Sequence, residues 1–452
     1  MQRIVWGEGS LFSSVLGRQK YSGAPLRWSR FVLFEPVEGG TLLFNALTRV
    51  LVFTDAALDA RTDPASLPDA ALWQERWFLI PQDANELQTA DQLGRVTEMV
   101  YCASLEAEEK SSFTVYTTTA CNARCPYCFE KGYAPVTMRE EDADRAAAFI
   151  RSHAAGRNVS LRWFGGEPLL NTAAIERICA DLRRDGVSFR SSIITNGYLW
   201  TEESVASAKE NWKLDWAQIT LDGTEESYNA CKRYVCSDPS PYRRVLRNIG
   251  MLLEAGIAVG VRLNLTLENA EELLRLIDEL QERFGGSKDF GFSLHELFEY
   301  DFLSADPAWQ DGGRILDAYR RLLLRLEDYG HSLDLAQYSR PRKHCMADSA
   351  RSFAIYPTGE LLKCDHFRAE EVVGDVVNGV TDPALVKSWR ERSAKTALCR
   401  DCPLYPACVR LKKCPDEPAD CSPMMREIRL FNCRRGMRTE WRRVCKSEQE
   451  KA

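Results

Sequence analysis

The stretch that most constrains this chain is residues 117–132, TTTACNARCPYCFEKG. Cys121, Cys125 and Cys128 stand at CxxxCxxC spacing in one short loop, and the run Phe113 to Thr119 leads into it as a strand. Three thiolates this close can hold three irons of a cubane cluster and leave the fourth without a protein ligand. An open iron is a site for chemistry, as an open zinc position is. The competing reading is a structural zinc loop. Such loops usually pair one CxxC with a second or with histidines, and no second half lies nearby.

Length and composition bound the rest. A chain of 452 residues has room for two to four domains. Its 45% hydrophobic and 27% charged residues are ordinary for a soluble globular protein. A net charge of −6 gives no sign of general nucleic-acid affinity. The start, MQRIVWGEGSLF, lacks a basic segment followed by an apolar core, so no signal peptide is expected. No run of apolar residues is long enough for a membrane span. Most of the sixteen cysteines cluster at 121–128 and 345–445, which reads as metal ligation in a reducing cytoplasm.

From 113 to about 305, strand and helix patterns alternate. Strands are expected at 113–119, 159–164, 191–195, 216–221, 258–266 and 290–297. Helices are expected between them at 139–153, 172–185, 202–210, 242–254 and 270–284. A last helix at 307–327 starts on Asp306 as N-cap and Pro307 at the first helical position. Six repeats imply an α/β fold with a parallel sheet and right-handed crossovers.

The cysteine loop, with Tyr127 before its last cysteine and Phe129 after it, resembles the signature of radical S-adenosylmethionine (SAM) enzymes. The resemblance implies a partial (β/α)6 barrel with chemistry at the C-terminal strand ends. It also implies a 4Fe–4S cluster whose open iron takes the SAM methionyl group, and one-electron cleavage to a 5′-deoxyadenosyl radical. Trp163-Phe164-Gly165-Gly166-Glu167-Pro168 resembles the family's GGE motif, with Gly165, Gly166 and Glu167 expected at the methionyl ammonium. Asn196 ends the third strand. Thr220-Leu221-Asp222-Gly223 ends the fourth and resembles an S-[IL]-D-G segment with threonine for serine. Thr220 is a candidate for the SAM carboxylate or ribose, Asn264 and Thr266, which end the fifth strand, for the ribose, and Arg233 for a bidentate grip on the carboxylate. Turn and strand-cap roles compete for each of these.

A second cysteine group follows. Cys345, Gly359 and Cys364 precede Cys399-x2-Cys402-x5-Cys408, then Cys414, Cys421 and Cys433. This resembles the SPASM domain, which carries two auxiliary 4Fe–4S clusters in enzymes that act on peptides and proteins. Residues 355–361 read as a hairpin. The resemblance implies Cys345, Cys364 and Cys414 on one cluster, and Cys399, Cys402, Cys408 and Cys433 on the other. The Cys408–Cys414 gap departs from the pattern, and Cys421 either closes the first cluster or leaves it open. Of the cysteines outside motifs, Cys179 reads as a small core residue.

Residues 1–105 carry no catalytic motif. Strands at 30–34, 41–44 and 50–53, with a turn at Glu38-Gly39-Gly40, precede helices at 56–60, 68–75 and 85–100. This order resembles the winged-helix-like α+β modules that capture a leader peptide as an added strand. The expected division is therefore 1–105 peptide recognition, 106–310 radical SAM barrel, 311–340 helical linker and 341–452 SPASM domain. The expected activity is radical modification of a ribosomally synthesised precursor peptide, with a cysteine thioether as product. It needs SAM, three 4Fe–4S clusters and an electron donor such as a flavodoxin or ferredoxin. Two alternatives stand beside it. One is a formylglycine-generating sulfatase maturase with Asp365, after Cys364, as general base. The other is a non-catalytic, zinc-stapled peptide-binding protein.

Overall fold

The computed structural model describes residues 2–7, 11–19, 23–106, 110–154, 158–296, 312–331, 335, 345–366, 368–393, 395–406, 408, 412–414, 421 and 423–449. The chain forms two compact units. One joins Met1–Glu106, Ser332–Cys345 and Arg392–Ala452; the other joins Ala107–His331 and Met346–Glu391.

The first unit contains β1 (Gln2–Trp6), β2 (Leu26–Trp28), β3 (Val32–Val37), β4 (Gly40–Asn45), β5 (Val50–Thr54) and β6 (Leu79–Pro81). Four of these make an antiparallel sheet in the order β1-β5-β4-β3, and β2 pairs with β6. The β3–β4 hairpin closes on Glu38-Gly39, where Gly39 has φ +80°. Alternation along the strands sends Leu33, Leu42, Phe44 and Leu51 to one face. There they share a core with Leu430, Cys433 and Met437 of the helix Pro423–Gln449. Val32, Leu43, Val50 and Val52 go to the other face, against Trp73, Phe78 and Leu79. Arg438 and Arg434 of the same long helix pair with Glu35 of β3. The expected helix at 56–60 does not form. Thr41 Oγ1 donates to the Ala56 carbonyl and accepts from Leu58 N–H, both at 3.0 Å, which ties this segment to β4 and takes up groups a helix would need. The expected helices at 68–75 and 85–100 correspond to Ala70–Glu75 and Glu86–Glu106.

The second unit is built on β7 (Lys110–Thr118), β8 (Asn158–Gly165), β9 (Phe189–Thr195), β10 (Leu214–Leu221), β11 (Ala258–Leu265) and β12 (Phe290–Glu296). Neighbouring strands in the order β12-β11-β10-β9-β8-β7 are all parallel. Helices Glu140–Ala154, Thr172–Arg184, Glu202–Glu210, Pro241–Glu254 and Ala270–Phe284 link successive strands, within two residues of the expected bounds. Cys179 is fully buried in the second of these. A short helix, Glu225–Lys232, was not anticipated. The helix after β12 spans Gly312–Asp328, and its expected start at Asp306 and Pro307 lies outside the described residues.

The sheet does not end at β7. The strand β13 (Ser352–Ile355) pairs parallel to it, with Phe353 opposite Phe113 and Ile355 opposite Val115. Then β14 (Glu360–Leu362), β15 (Gly374–Asp375) and β16 (Gly379–Val380) continue antiparallel. The expected hairpin at 355–361 is therefore the extension of the barrel sheet.

Candidate active site at the strand ends

The cysteine loop leaves the C-terminal end of β7. Backbone contacts with the next strand end fix its path. Gly166 N–H donates to the Thr118 carbonyl at 3.0 Å, and Glu167 N–H to the Ala120 carbonyl at 2.9 Å. A Cβ on Gly165, which has φ +124°, would stand 2.0 Å from the Thr118 carbonyl oxygen. One on Gly166 would stand 2.5 Å from those of Thr119 and Ala120. The two glycines thus let the β8 end press against the chain that carries the cysteines.

Glu167 is fully buried. Its carboxyl accepts from Leu169 N–H at 3.1 Å, Thr195 Oγ1 at 2.7 Å and Asn196 N–H at 2.8 Å, so it clamps the ends of β8 and β9. Burial pushes its pKa up to about 7, and the three donors pull against that. Asn196 passes the connection on: its Nδ2 donates to Asn122 Oδ1, inside the cysteine loop, at 2.7 Å.

A buried charged group ties the other side. Tyr127 donates its hydroxyl to Asp222 Oδ2 at 2.7 Å and accepts from Lys232 Nζ at 2.9 Å. Lys232 Nζ stands 3.0 Å from the same Asp222 oxygen, with both side chains under 5% exposed. Asn264 Nδ2 donates to the other Asp222 oxygen at 3.0 Å. Burial opposes the ammonium, but the Asp222 carboxylate and Tyr127 outweigh it, and the Lys232 pKa is raised. Arg233 lies beside this cation and outside the network. It has φ +48°, is exposed, and donates from Nε to the Ala230 carbonyl. Sequence reasoning singled out Arg233 and missed Lys232, because nothing in adjacent Lys-Arg tells which turns inward. Thr220 is half-buried on β10, in register with Arg262 of β11.

The sheet extension brings a third wall. Past β14, the Asp365 carbonyl accepts from the Tyr116 hydroxyl, and Asp365 Oδ1 lies 3.7 Å from Cys364 Sγ. Phe129 stacks on His366, ring centroids 4.5 Å apart. Cys364, Asp365 and His366 therefore lie beside the cysteine loop. Glu130, also missed from sequence, is buried there with Oε1 lacking a hydrogen bond, and burial pushes its pKa up to about 7.

The thiols themselves suit a cluster. Burial pushes Cys121 up to about 12 and raises Cys128, while Ala123 N–H donates to Cys121 Sγ at 3.4 Å. Ligation by iron removes the proton that burial favours, and N–H···S bonds of this kind tune cluster potentials. Among the described residues, no three Cys, His, Asp or Glu side chains close on one point as the ligands of a single ion do.

The model of the radical SAM superfamily matches residues 115–280, from β7 through the helix after β11. Residues 115–280 are a radical SAM domain. A serine-type anaerobic sulfatase-maturating enzyme of Klebsiella aerogenes is 24% identical to the chain over 322 residues, 64% of this chain and 76% of that protein. The solved structure of native anSMEcpe with bound AdoMet has a TM-score of 0.56 at 16% identity, covering 75% of this chain and all of that one. The same protein with AdoMet and the Cp18Cys peptide gives 0.55, covering 75% and 99%. These structural likenesses are of fold. Around the radical SAM domain, no described helix is long and apolar enough to cross a membrane.

In the first unit, Cys399, Cys402 and Cys408 lie along one turn, with Cys402 N–H donating to the Cys399 carbonyl and Cys408 N–H to that of Leu404, both at 2.9 Å. Arg429 donates to Cys408 Sγ at 3.1 Å. Burial raises the Cys402 pKa, and the Cys408 and Cys421 thiols add to it. Cys433 is fully buried in the long helix, in the core cluster that Cys399 and Cys402 pack against.

Proposed function

We propose that the protein uses its radical SAM domain to modify a ribosomally synthesised peptide, forming a cysteine thioether. The observation that carries this reading is the wall made by β13 and β14. It sets Cys364, Asp365 and His366 of the second cysteine group beside the loop of the first, through the Tyr116–Asp365 bond and the Phe129–His366 stack. The extension thus brings one cysteine of the second group, Cys364, and its two following residues to the loop that would hold the SAM cluster.

Cys121, Cys125 and Cys128 would hold the 4Fe–4S cluster that cleaves SAM. When bound, cluster and SAM supply a 5′-deoxyadenosyl radical able to take hydrogen from carbon. The chain's own residues position and enclose. Glu167 and Asn196 hold the β8 and β9 ends to the loop. Tyr127, Asp222, Lys232 and Asn264 hold the β10 and β11 ends. In the first unit, Cys399, Cys402 and Cys408, with either Cys421 or Cys433, would hold an auxiliary cluster that accepts the electron left after carbon–sulfur bond formation. The antiparallel sheet of the first unit is the proposed leader-binding element, and a flavodoxin or ferredoxin the proposed donor. The thioether itself rests on the segment CPLYPACVRLKKC, which resembles those of crosslinking maturases.

A second reading is formylglycine formation. It is favoured by the likeness to the Klebsiella aerogenes maturase and by the position of Asp365. One experiment separates the two. The reconstituted protein is incubated anaerobically with SAM, reductant and a cysteine-containing precursor peptide encoded beside its gene. A thioether removes two hydrogens and leaves no thiol to alkylate and no carbonyl to label. A formylglycine labels with hydrazine reagents. An unmodified peptide with 5′-deoxyadenosine still formed would count against both.

A further inference from the structure

The loop of Cys121, Cys125 and Cys128 is clasped by one short stretch, residues 232–235, that no family motif marks. Arg124 N–H donates to the Lys232 carbonyl at 2.8 Å, and Val235 N–H donates to the Asn122 carbonyl at 2.8 Å. The Lys232 ammonium reaches Tyr127, between the last two cysteines, at 2.9 Å. Arg233, at φ +48°, turns the chain between these contacts. The clasp thus grips the loop by its backbone at 122 and 124 and by a side chain at 127.

Lys232 also carries a full charge into a dry place. It is 3% exposed. Its Nζ lies 5.6 Å from the Tyr127 ring centroid and 5.7 Å from that of Tyr228, so aromatic faces cover it. Asp222 neutralises it from the side of the β10 end at 3.0 Å. The Cys125 and Cys128 sulfurs lie within electrostatic range of the ammonium. A cluster on these thiolates gains negative charge when reduced. A buried cation stabilises that form and a buried anion destabilises it, with little screening by solvent.

We propose that Lys232 is a positioning residue for the radical SAM cluster: it holds the cysteine loop through Tyr127, and its charge, balanced by Asp222, sets how easily the cluster is reduced. The inference rests on the reading of Cys121, Cys125 and Cys128 as cluster ligands. It requires opposite responses to the removal of the two charges. Lys232→Met takes away the cation and keeps most of the volume. Asp222→Asn takes away the anion and keeps an acceptor for Tyr127. A purely structural role would move both variants the same way, or neither.

The test is an anaerobic redox titration of the reconstituted protein, following the paramagnetic signal that changes on adding SAM, with iron and sulfide measured on each sample. At the potential where half of the wild-type cluster is reduced, Lys232→Met should lower the reduced-to-oxidised ratio by about tenfold, ~59 mV for one electron. Asp222→Asn should raise it by a similar factor, and Lys232→Arg should stay near wild type. Should Lys232→Met fail to take up iron, Asp222→Asn decides alone: a rise supports the inference, and no change or a fall overturns it. A wild-type loop that takes up no SAM-responsive cluster overturns the ligand reading and this inference together. A cluster present with unmoved potential in both variants overturns the inference alone.

Discussion

Replacing Glu167 with glutamine should change how the stability of the barrel unit depends on pH. In the wild type the buried carboxyl has a pKa of about 7, above its ordinary value of 4.5, with burial as the cause. A carboxyl whose folded pKa is raised binds protons more readily folded than unfolded. Its contribution to stability is present below the ordinary pKa and is lost as pH rises towards about 7. Between about pH 5.5 and pH 7 the loss amounts to one and a half pH units at 1.36 kcal/mol each, or about 2 kcal/mol. Glutamine does not titrate, so this slope disappears. Its amide can accept from Thr195 and Leu169 but sets an N–H against that of Asn196, at a cost of about 1–3 kcal/mol that does not vary with pH. Urea unfolding followed by the emission of Trp163 and Trp200, both buried, reads the difference. Wild type should exceed Glu167→Gln by about 2 kcal/mol more at about pH 5.5 than at about pH 8. A difference that is flat, or that grows with pH, would mean that the three donors hold the carboxyl ionised and that the reasoning from burial is wrong.

Other outcomes follow from the same site. Replacing Cys121, Cys125 and Cys128 together with alanine should reduce 5′-deoxyadenosine formation with dithionite to background; turnover by the triple variant would remove this loop from the active site. Gly166→Ala sets a methyl 2.5 Å from two carbonyl oxygens of the cysteine loop. It should destabilise the unit by about 1–3 kcal/mol and lower iron uptake, read by denaturation and iron assay; wild-type values in both would show that the loop yields freely. Cys421→Ala should cost iron and alter the auxiliary-cluster spectrum, because the Cys421 thiol acts electrostatically on Cys402; full iron content would exclude it as a ligand.

Much of this was legible before the structure, and the reasons differ by element. The barrel strands announce themselves by alternation, as where Val159, Leu161 and Trp163 of β8 are buried and Ser160 and Arg162 between them are exposed, and turn signals bound each one. Gly165 and Gly166 could be picked out as necessary, although their close approach is to the loop at Thr118–Ala120. The Lys232 contact was not legible, because a one-residue offset at a helix end decides which cation turns inward. The helix Pro423–Gln449 was missed for another reason. Its buried Leu430, Cys433 and Met437 do recur at helical spacing, but among many charged residues, and Cys433 drew attention as a ligand. The helix at 56–60 failed because one threonine hydroxyl, on Thr41, outcompeted a weak local preference.

The first unit's core joins the two ends of the chain. Glu35 of β3 and Arg438 of the long helix are separated by 403 residues. During synthesis the first hundred residues emerge with one sheet face, Leu33, Leu42 and Phe44 included, lacking the helix that covers it. Ala90 and Leu93 of Glu86–Glu106 share that core, but the face stays incompletely covered until the last turns of Pro423–Gln449 leave the ribosome, by which time the whole barrel unit has been made. Closing a loop of that length costs little in equilibrium terms but delays the contact. The nascent chain should therefore depend on a holding chaperone over this interval, and a ribosome stalled before residue 423 should display a chain whose amino-terminal segment is cut by protease while residues 110–296 resist it.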